Sequence, residues 1–242
     1  MSGDHQSEIK YLPYKLQQHE RDSPYKVLMA LLAGNERFVS NKTHKRNWAE
    51  EREAIKHGQD PKAVVIECSD SRVPSVILFD QGLGDLFRIA LAGNRIDENA
   101  IASITYAVTH LGTKVVLNVA HSSCGAAKAA CTSRKKGALE GNTIDVLLEP
   151  LKAVCSAVSF DPDKTAIEHS KFGLHELIED HTIKKYVIEN GVVLVTAYYD
   201  LASGRVKLTS GIYYLPTDKG GDILITENIE SMLEDLRKRD KL

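Results

Sequence analysis

The stretch KAVVIEC, at residues 62–68, decides the fold, because it is apolar, rich in β-branched residues and too short for a buried helix. Such a run is typical of a parallel strand that is buried on both faces. Two further strands are predicted at residues 85–90 and at residues 114–120, which read KVVLNVA. Between them, apolar side chains recur at helical spacing from Glu98 to Leu111. The pattern therefore predicts parallel strands joined by crossover helices.

The flanking segments extend this pattern into a complete α/β fold. Helices are predicted at residues 8–20, 25–40, 143–158 and 173–190. VVLVTAYY at 192–199, a turn at 202–204 and residues 205–209 predict an antiparallel hairpin. We expect one domain, 1–242, with a mostly parallel central sheet, an antiparallel C-terminal hairpin and helices on both sides. Residues 1–40 would form an N-terminal helical arm, and residues 211–242 a C-terminal tail helix starting near Glu227.

Composition excludes several classes of partner. The chain has 31 basic and 33 acidic residues, so its charge gives no case for binding nucleic acid or an anionic membrane. No segment approaches the ~20 apolar residues of a membrane span, and residues 1–10 resemble neither a secretory signal nor a transit peptide. We expect a cytoplasmic protein whose cysteines stay reduced. Cys131 and Cys155, in helical stretches, are interpreted as buried structural thiols.

Two loops that carry reactive side chains follow predicted strands. They read CSDSRVP at 68–74 and HSSCG at 121–125. Because the carboxyl ends of parallel strands meet at one edge of a sheet, both loops should face the same crevice. Cys68, His121 and Cys124 then form a Cys₂His set, which zinc takes in open catalytic sites. The H-x-x-C spacing alone is weak and Cys68 alone could be a buried thiol, but the joint pattern favours a metal centre.

Asp70 and Arg72 suggest a second component of this site. A carboxylate beside the metal can accept a hydrogen bond from a bound hydroxide and orient it. Left free, the same carboxylate could occupy the fourth metal position, and Arg72 can hold it away through charge-assisted hydrogen bonds. The alternative reading is an aspartate that stabilises the turn, next to a surface arginine.

With these motifs and the hairpin VVLVTAYYDLASGRVKL at 192–208, the chain resembles the β-class carbonic anhydrases over about residues 25–210. The resemblance implies one zinc ion per subunit, the Asp70–Arg72 dyad, and a homodimer or homotetramer. It also implies a substrate pocket, part of it supplied by the neighbouring subunit, formed by Gln59, Phe87, Tyr106 and the backbone of Gly125. From the residues alone, Phe87 and Tyr106 would equally suit a core.

The implied activity is reversible hydration of carbon dioxide to bicarbonate by metal-bound hydroxide. One departure leaves an alternative open: the family carries Arg-Asn-Ala-Gly-Asn where this chain has ALAGN at 90–94. A more apolar pocket would favour carbonyl sulfide, which the same site would hydrolyse to CO₂ and H₂S. A second alternative is an inactive zinc-stabilised scaffold, against which the Asp70–Arg72 pair counts. A hydrolase relay of Cys124 and His121 would leave Cys68 unexplained. Glu67, a polar residue at a strand end, has no explanation in the sequence.

Overall fold

A computed structural model describes residues 18–136, 141, 143–218 and 220–240. Its centre is a six-stranded sheet in the order β2-β1-β3-β4-β5-β6. The strands are β1 (Ala63–Glu67), β2 (Leu86–Ala90), β3 (Val115–His121), β4 (Val193–Tyr199), β5 (Val206–Thr217) and β6 (Gly220–Thr226). Strands β1 to β4 pair in parallel, whereas β5 pairs antiparallel with both β4 and β6. This mixed sheet confirms the predicted fold class.

Helices connect and cover the strands. They are α1 (Gln18–Arg21), α2 (Pro24–Val39), α3 (Trp48–Ile55), α4 (Ser75–Leu78), α5 (Glu98–His110), α6 (Gly125–Lys136), α7 (Ile144–Cys155), α8 (Pro162–Glu179), α9 (His181–Asn190) and α10 (Ile229–Arg239). The start of α2 follows from the sequence, because Ser23 caps it by accepting a hydrogen bond from Lys26 N and Pro24 opens its first turn. None of the helices in these described ranges is both long and apolar enough to cross a membrane.

Two sequence expectations need correction, and a third falls mostly outside the described residues. The helix predicted at 173–190 is two helices that meet at Asp180, whose carboxylate caps α9 through the amides of Thr182 and Ile183. The tail after residue 210 begins as strand, because β5 continues and β6 follows it, so the predicted tail helix is confirmed only from Ile229. The helix predicted at 8–20 lies outside the described residues up to position 17.

The sheet separates two apolar layers, since neighbouring strand residues point to opposite faces. One face carries Val65, Leu117 and Val195 and packs against α2, α6, α7 and α10. The other carries Val64, Val116 and Leu194 and packs against α5, α8 and α9. Every residue of β1 and β3 is buried, so the loops that follow these two adjacent strands start from fixed positions at one edge of the sheet.

Candidate metal centre

Three potential ligands meet at the carboxyl edge of the sheet. Cys68 follows β1, His121 ends β3 and Cys124 immediately precedes α6. All three side chains are buried, and their ligand atoms lie within 4.8 Å of one another. The structure thus brings together the Cys₂His set that the two motifs predict.

The tautomer and burial of the His121 ring suit the binding of a cation at Nε2. Its Nδ1 lies 2.9 Å from the carbonyl oxygen of Ser122, and because a carbonyl only accepts, Nδ1 carries the proton. Its Nε2 is buried and has no hydrogen-bond partner among the described residues. A buried ring nitrogen with a free lone pair is costly unless something binds it. Together with two thiols, this nitrogen completes a donor set that suits zinc.

The surroundings of the two sulfur atoms favour negative charge on Cys68 and disfavour it on Cys124. Gly93 N donates to Cys68 Sγ at 3.2 Å from a turn with φ of 71°, where a Cβ atom would lie 2.8 Å from Leu151 Cδ1. The neighbouring Cys124 thiol lowers the pKa of the Cys68 thiol to about 4, and the proximity of Cys68 together with burial raises the pKa of Cys124. The pair therefore shares one proton, which a divalent cation would replace.

Asp70 is held by Arg72 as the sequence suggests. Arg72 Nε and Nη2 donate to the two carboxylate oxygens at 2.8 and 2.6 Å, and Arg72 N donates to Oδ1 at 3.0 Å. These hydrogen bonds lower the pKa of Asp70 to about 2. Arg72 Nη2 also reaches the carbonyl of Ser123 at 3.3 Å, so the dyad links both loops.

The second loop is anchored from two other elements. Ser122 N donates to Tyr199 O at 3.0 Å, at the end of β4. Ser123, whose φ is 54°, donates its N–H to Asp163 Oδ1 at 2.7 Å, in the first turn of α8. Sequence reasoning missed Asp163, because an acidic residue in a first helical turn is ordinary.

The expected pocket residues divide into two groups. Gly125 opens α6 next to Cys124 and is exposed. Phe87 pairs with Val64, four residues before Cys68, which places it roughly 13 Å from the metal edge along the strand. Its ring lies 6.3 Å from that of Tyr106, which is 47% exposed.

Gln59 also lies away from the metal centre. It precedes β1 and lines a surface cavity of about 420 Å³ with neighbours that include Ile55, Leu83 and Asp85. Within one chain, therefore, Gln59 and the Phe87–Tyr106 pair lie toward the amino ends of β1 and β2, while the ligands lie at the carboxyl ends.

The two residues that differ from the family pattern at 90–94, Ala90 and Leu91, lie on opposite faces of the sheet. Leu91 packs into the layer beneath α5 and α8, on the opposite face from Ala90. Ala90 is exposed on the same face of β2 as Arg88, so an arginine is still present on this face, two residues earlier. Arg88 pairs with the buried Glu67, a contact between strands that sequence reasoning did not foresee.

With this geometry in view, a family model described as carbonic anhydrase matches residues 63–206, more than half of the chain. The chain belongs to the β-carbonic anhydrase family. Carbonic anhydrase 2 of Mycobacterium tuberculosis is 33% identical over 196 residues, which cover 78% of this chain and 95% of the relative. A carbonic anhydrase of Mycolicibacterium smegmatis is 34% identical over 202 residues, covering 78% and 94%.

Solved structures give the same result for the fold. A tetrameric β-carbonic anhydrase of Sordaria macrospora is 27% identical, with a TM-score of 0.56 over 66% of this chain and 89% of that one. The β-carbonic anhydrase CafA of Aspergillus fumigatus, at 24% identity, shares the fold with a TM-score of 0.58 over 89% and 99% of the two chains.

Proposed function

We propose that this protein catalyses the reversible hydration of carbon dioxide to bicarbonate at one zinc ion per subunit, held by Cys68, His121 and Cys124. The observation that carries the proposal is the buried Cys₂His cluster beside an arginine-held carboxylate, in a chain of the β-carbonic anhydrase family. A cytoplasmic location fits, because thiols are kept reduced there.

Each nearby residue has a defined part in this reaction. When bound, zinc lowers the pKa of water and so supplies the nucleophile. Asp70 is ionised, and its carboxylate would accept a hydrogen bond from that nucleophile and so orient it toward the carbon of CO₂. Arg72 holds the carboxylate of Asp70 through two hydrogen bonds, which would keep that carboxylate from binding the metal itself. The N–H of Gly125, at the start of α6, is available to an oxygen of the substrate or product.

The substrate pocket is completed by a second subunit in this proposal. Gln59, Phe87 and Tyr106 are too far along the strands to reach the zinc ligands of their own chain. β2 is an edge strand, and the exposed Tyr106 lies close to it, so a partner can approach this surface. We infer a homodimer in which each chain lines its partner's pocket; a homotetramer would contain the same pair.

Complementation tests this arrangement. Cys68→Ser removes the metal centre and Phe87→Ala removes the pocket wall, so each homodimer should be impaired. Mixed dimers, verified by native mass spectrometry, should regain activity at the one complete site. Mixed dimers that remain as inactive as the parents would show that the pocket is built within one chain.

The activity itself is tested on zinc-replete protein by stopped-flow CO₂ hydration with a pH indicator, alongside H₂S release from carbonyl sulfide. Fast hydration with little H₂S supports the proposal, whereas strong H₂S release with feeble hydration would make the protein a carbonyl sulfide hydrolase. Absence of both would leave a zinc-stabilised scaffold. Cys68→Ser should lose zinc and activity, and Cys131→Ser, a change at a buried thiol outside the centre, should keep both.

A further inference from the structure

Glu67 is a buried carboxylate at the end of the strand that leads into the metal centre. It ends β1, is only 2% exposed and immediately precedes the ligand Cys68. The other four residues of β1 are apolar and buried, so an acidic side chain here needs compensating partners. An apolar residue would avoid this cost, so the partners of Glu67 indicate what the carboxylate does here.

Both carboxylate oxygens of Glu67 have partners. Oε1 accepts from Arg88 Nε at 2.9 Å and from Arg88 Nη2, which reaches across from β2. Oε2 accepts from the backbone N–H of Ser75 at 2.8 Å, at the start of α4. The carboxylate therefore joins three elements, namely β1, β2 and α4.

The positions of Glu67 and Ser75 in the chain show what their hydrogen bond does. Glu67 stands immediately before the loop 68–74 and Ser75 immediately after it, so their hydrogen bond closes the loop at its base. Arg88 fixes this closure to the neighbouring strand, and Ser69 Oγ adds a second tie by donating to Ala90 O at 3.0 Å. The closed loop carries Cys68 together with the dyad.

We propose that Glu67, supported by Arg88, is a positioning residue that sets the placement of Asp70 and Arg72 relative to Cys68. The inference rests on the proposed function. Cys68 has an independent anchor in Gly93 N, whereas the hydrogen bonds of Asp70 are all to residues of its own loop. The dyad has one hydrogen bond to the second loop, from Arg72 Nη2 to Ser123 O at 3.3 Å. Opening the base of the loop should therefore displace the dyad more than the metal, and displacement of about 1 Å can cost roughly 10²-fold in rate.

Two substitutions at Glu67 separate its contacts. Glu67→Leu removes both, and we expect kcat per bound zinc to fall roughly 10- to 100-fold with zinc stoichiometry retained. Glu67→Gln keeps an oxygen for Ser75 N, so it should rescue most of the loss. Arg88→Met, which leaves the Ser75 contact in place, should lie between them.

Glu51 provides the matched control, because it is also buried, lies near Arg46 Nη1 at 3.4 Å and accepts from Leu83 N at 3.0 Å. Glu51→Leu should lower thermal stability without changing kcat per zinc. If Glu67→Leu behaves like Glu51→Leu, with wild-type kcat per zinc, Glu67 is merely structural and the proposal is wrong. Should Glu67→Leu fail to fold, wild-type kcat in both Glu67→Gln and Arg88→Met would overturn it equally.

Amide hydrogen exchange gives a readout that does not depend on turnover. Exchange of the amides of residues 69–73 should become faster in Glu67→Leu and Arg88→Met, and stay unchanged in Glu51→Leu. Unchanged exchange in both Glu67→Leu and Arg88→Met would refute the positioning role. If wild-type protein shows no CO₂ hydration, the proposed function fails, and hydrogen exchange still decides whether Glu67 closes the loop.

Discussion

At the scale of single residues, the chemistry depends on the ionisation state and direction of Asp70. Two parallel hydrogen bonds from the Arg72 guanidinium select the charged form, which is why the pKa of Asp70 falls to about 2. The carboxylate therefore remains ionised throughout the pH range in which carbon dioxide and bicarbonate interconvert. A lysine at position 72 would offer a point charge in place of this fork and would fix the direction less well.

Asp70→Asn tests this role, because it keeps the shape of the side chain but removes its charge. We expect kcat/KM for CO₂ hydration to fall roughly 10²- to 10⁴-fold, the range for loss of an acid–base group, with zinc content retained. Asp222→Asn, a change at an exposed position on β6, should have no effect. Near-wild-type turnover in a zinc-replete Asp70→Asn variant would remove Asp70 from the mechanism.

At the scale of elements, α8 supports the metal centre as well as the core. Asp161 caps this helix by accepting from the amides of Asp163 and Lys164 at 2.9 and 3.1 Å. The carboxylate of Asp163 then accepts from Ser123 N, between the ligands His121 and Cys124. Two aspartates two residues apart thus serve different purposes, one for the helix and one for the loop.

Substitutions of the two aspartates should affect zinc affinity and protein stability separately. Asp163→Ala should weaken zinc binding roughly tenfold, as expected when an outer partner of a metal centre is lost, with little change in Tm. Asp161→Ala should cost about 1 kcal/mol of unfolding free energy, the usual value of a helix cap, with zinc affinity unchanged. Chelator competition and urea denaturation measure the two quantities. A reversed pattern would show that the loop does not depend on α8.

At the scale of the whole molecule, we expect the free energy of unfolding to depend on pH because of one buried histidine. His169 lies in α8, is 2% exposed, and its Nδ1 has no partner within the described part of the chain. Burial and, secondarily, the charge of Arg95 lower its pKa to about 4. The unfolded chain therefore binds a proton at this residue before the folded one does, so stability present above about pH 6.5 is lost as the pH falls toward 4.

His169→Gln should remove this dependence. Wild-type protein should lose up to roughly 3 kcal/mol of unfolding free energy from this residue between pH 7 and pH 4, and the variant correspondingly less. His57→Gln, at an exposed histidine, should leave the slope unchanged. Urea denaturation at several pH values measures the effect. Identical slopes for wild type and His169→Gln would show that other groups cause the acid sensitivity.

Sequence predicts the parts of this molecule whose causes are local. β1 and β3 follow from continuous apolar runs, and the metal cluster follows because each ligand motif directly continues one of these strands. β6 escaped prediction because it begins with two glycines and an aspartate and is only partly buried. The Glu67–Arg88 contact joins residues 21 positions apart on neighbouring strands, so the chain order alone does not reveal it.

The most direct test of the central claim is anomalous diffraction at the zinc absorption edge from crystals of the purified protein. The account predicts one strong peak per subunit, within bonding distance of Cys68 Sγ, His121 Nε2 and Cys124 Sγ, with Asp70 still held by Arg72. A peak elsewhere, or none in protein that hydrates CO₂, would contradict it.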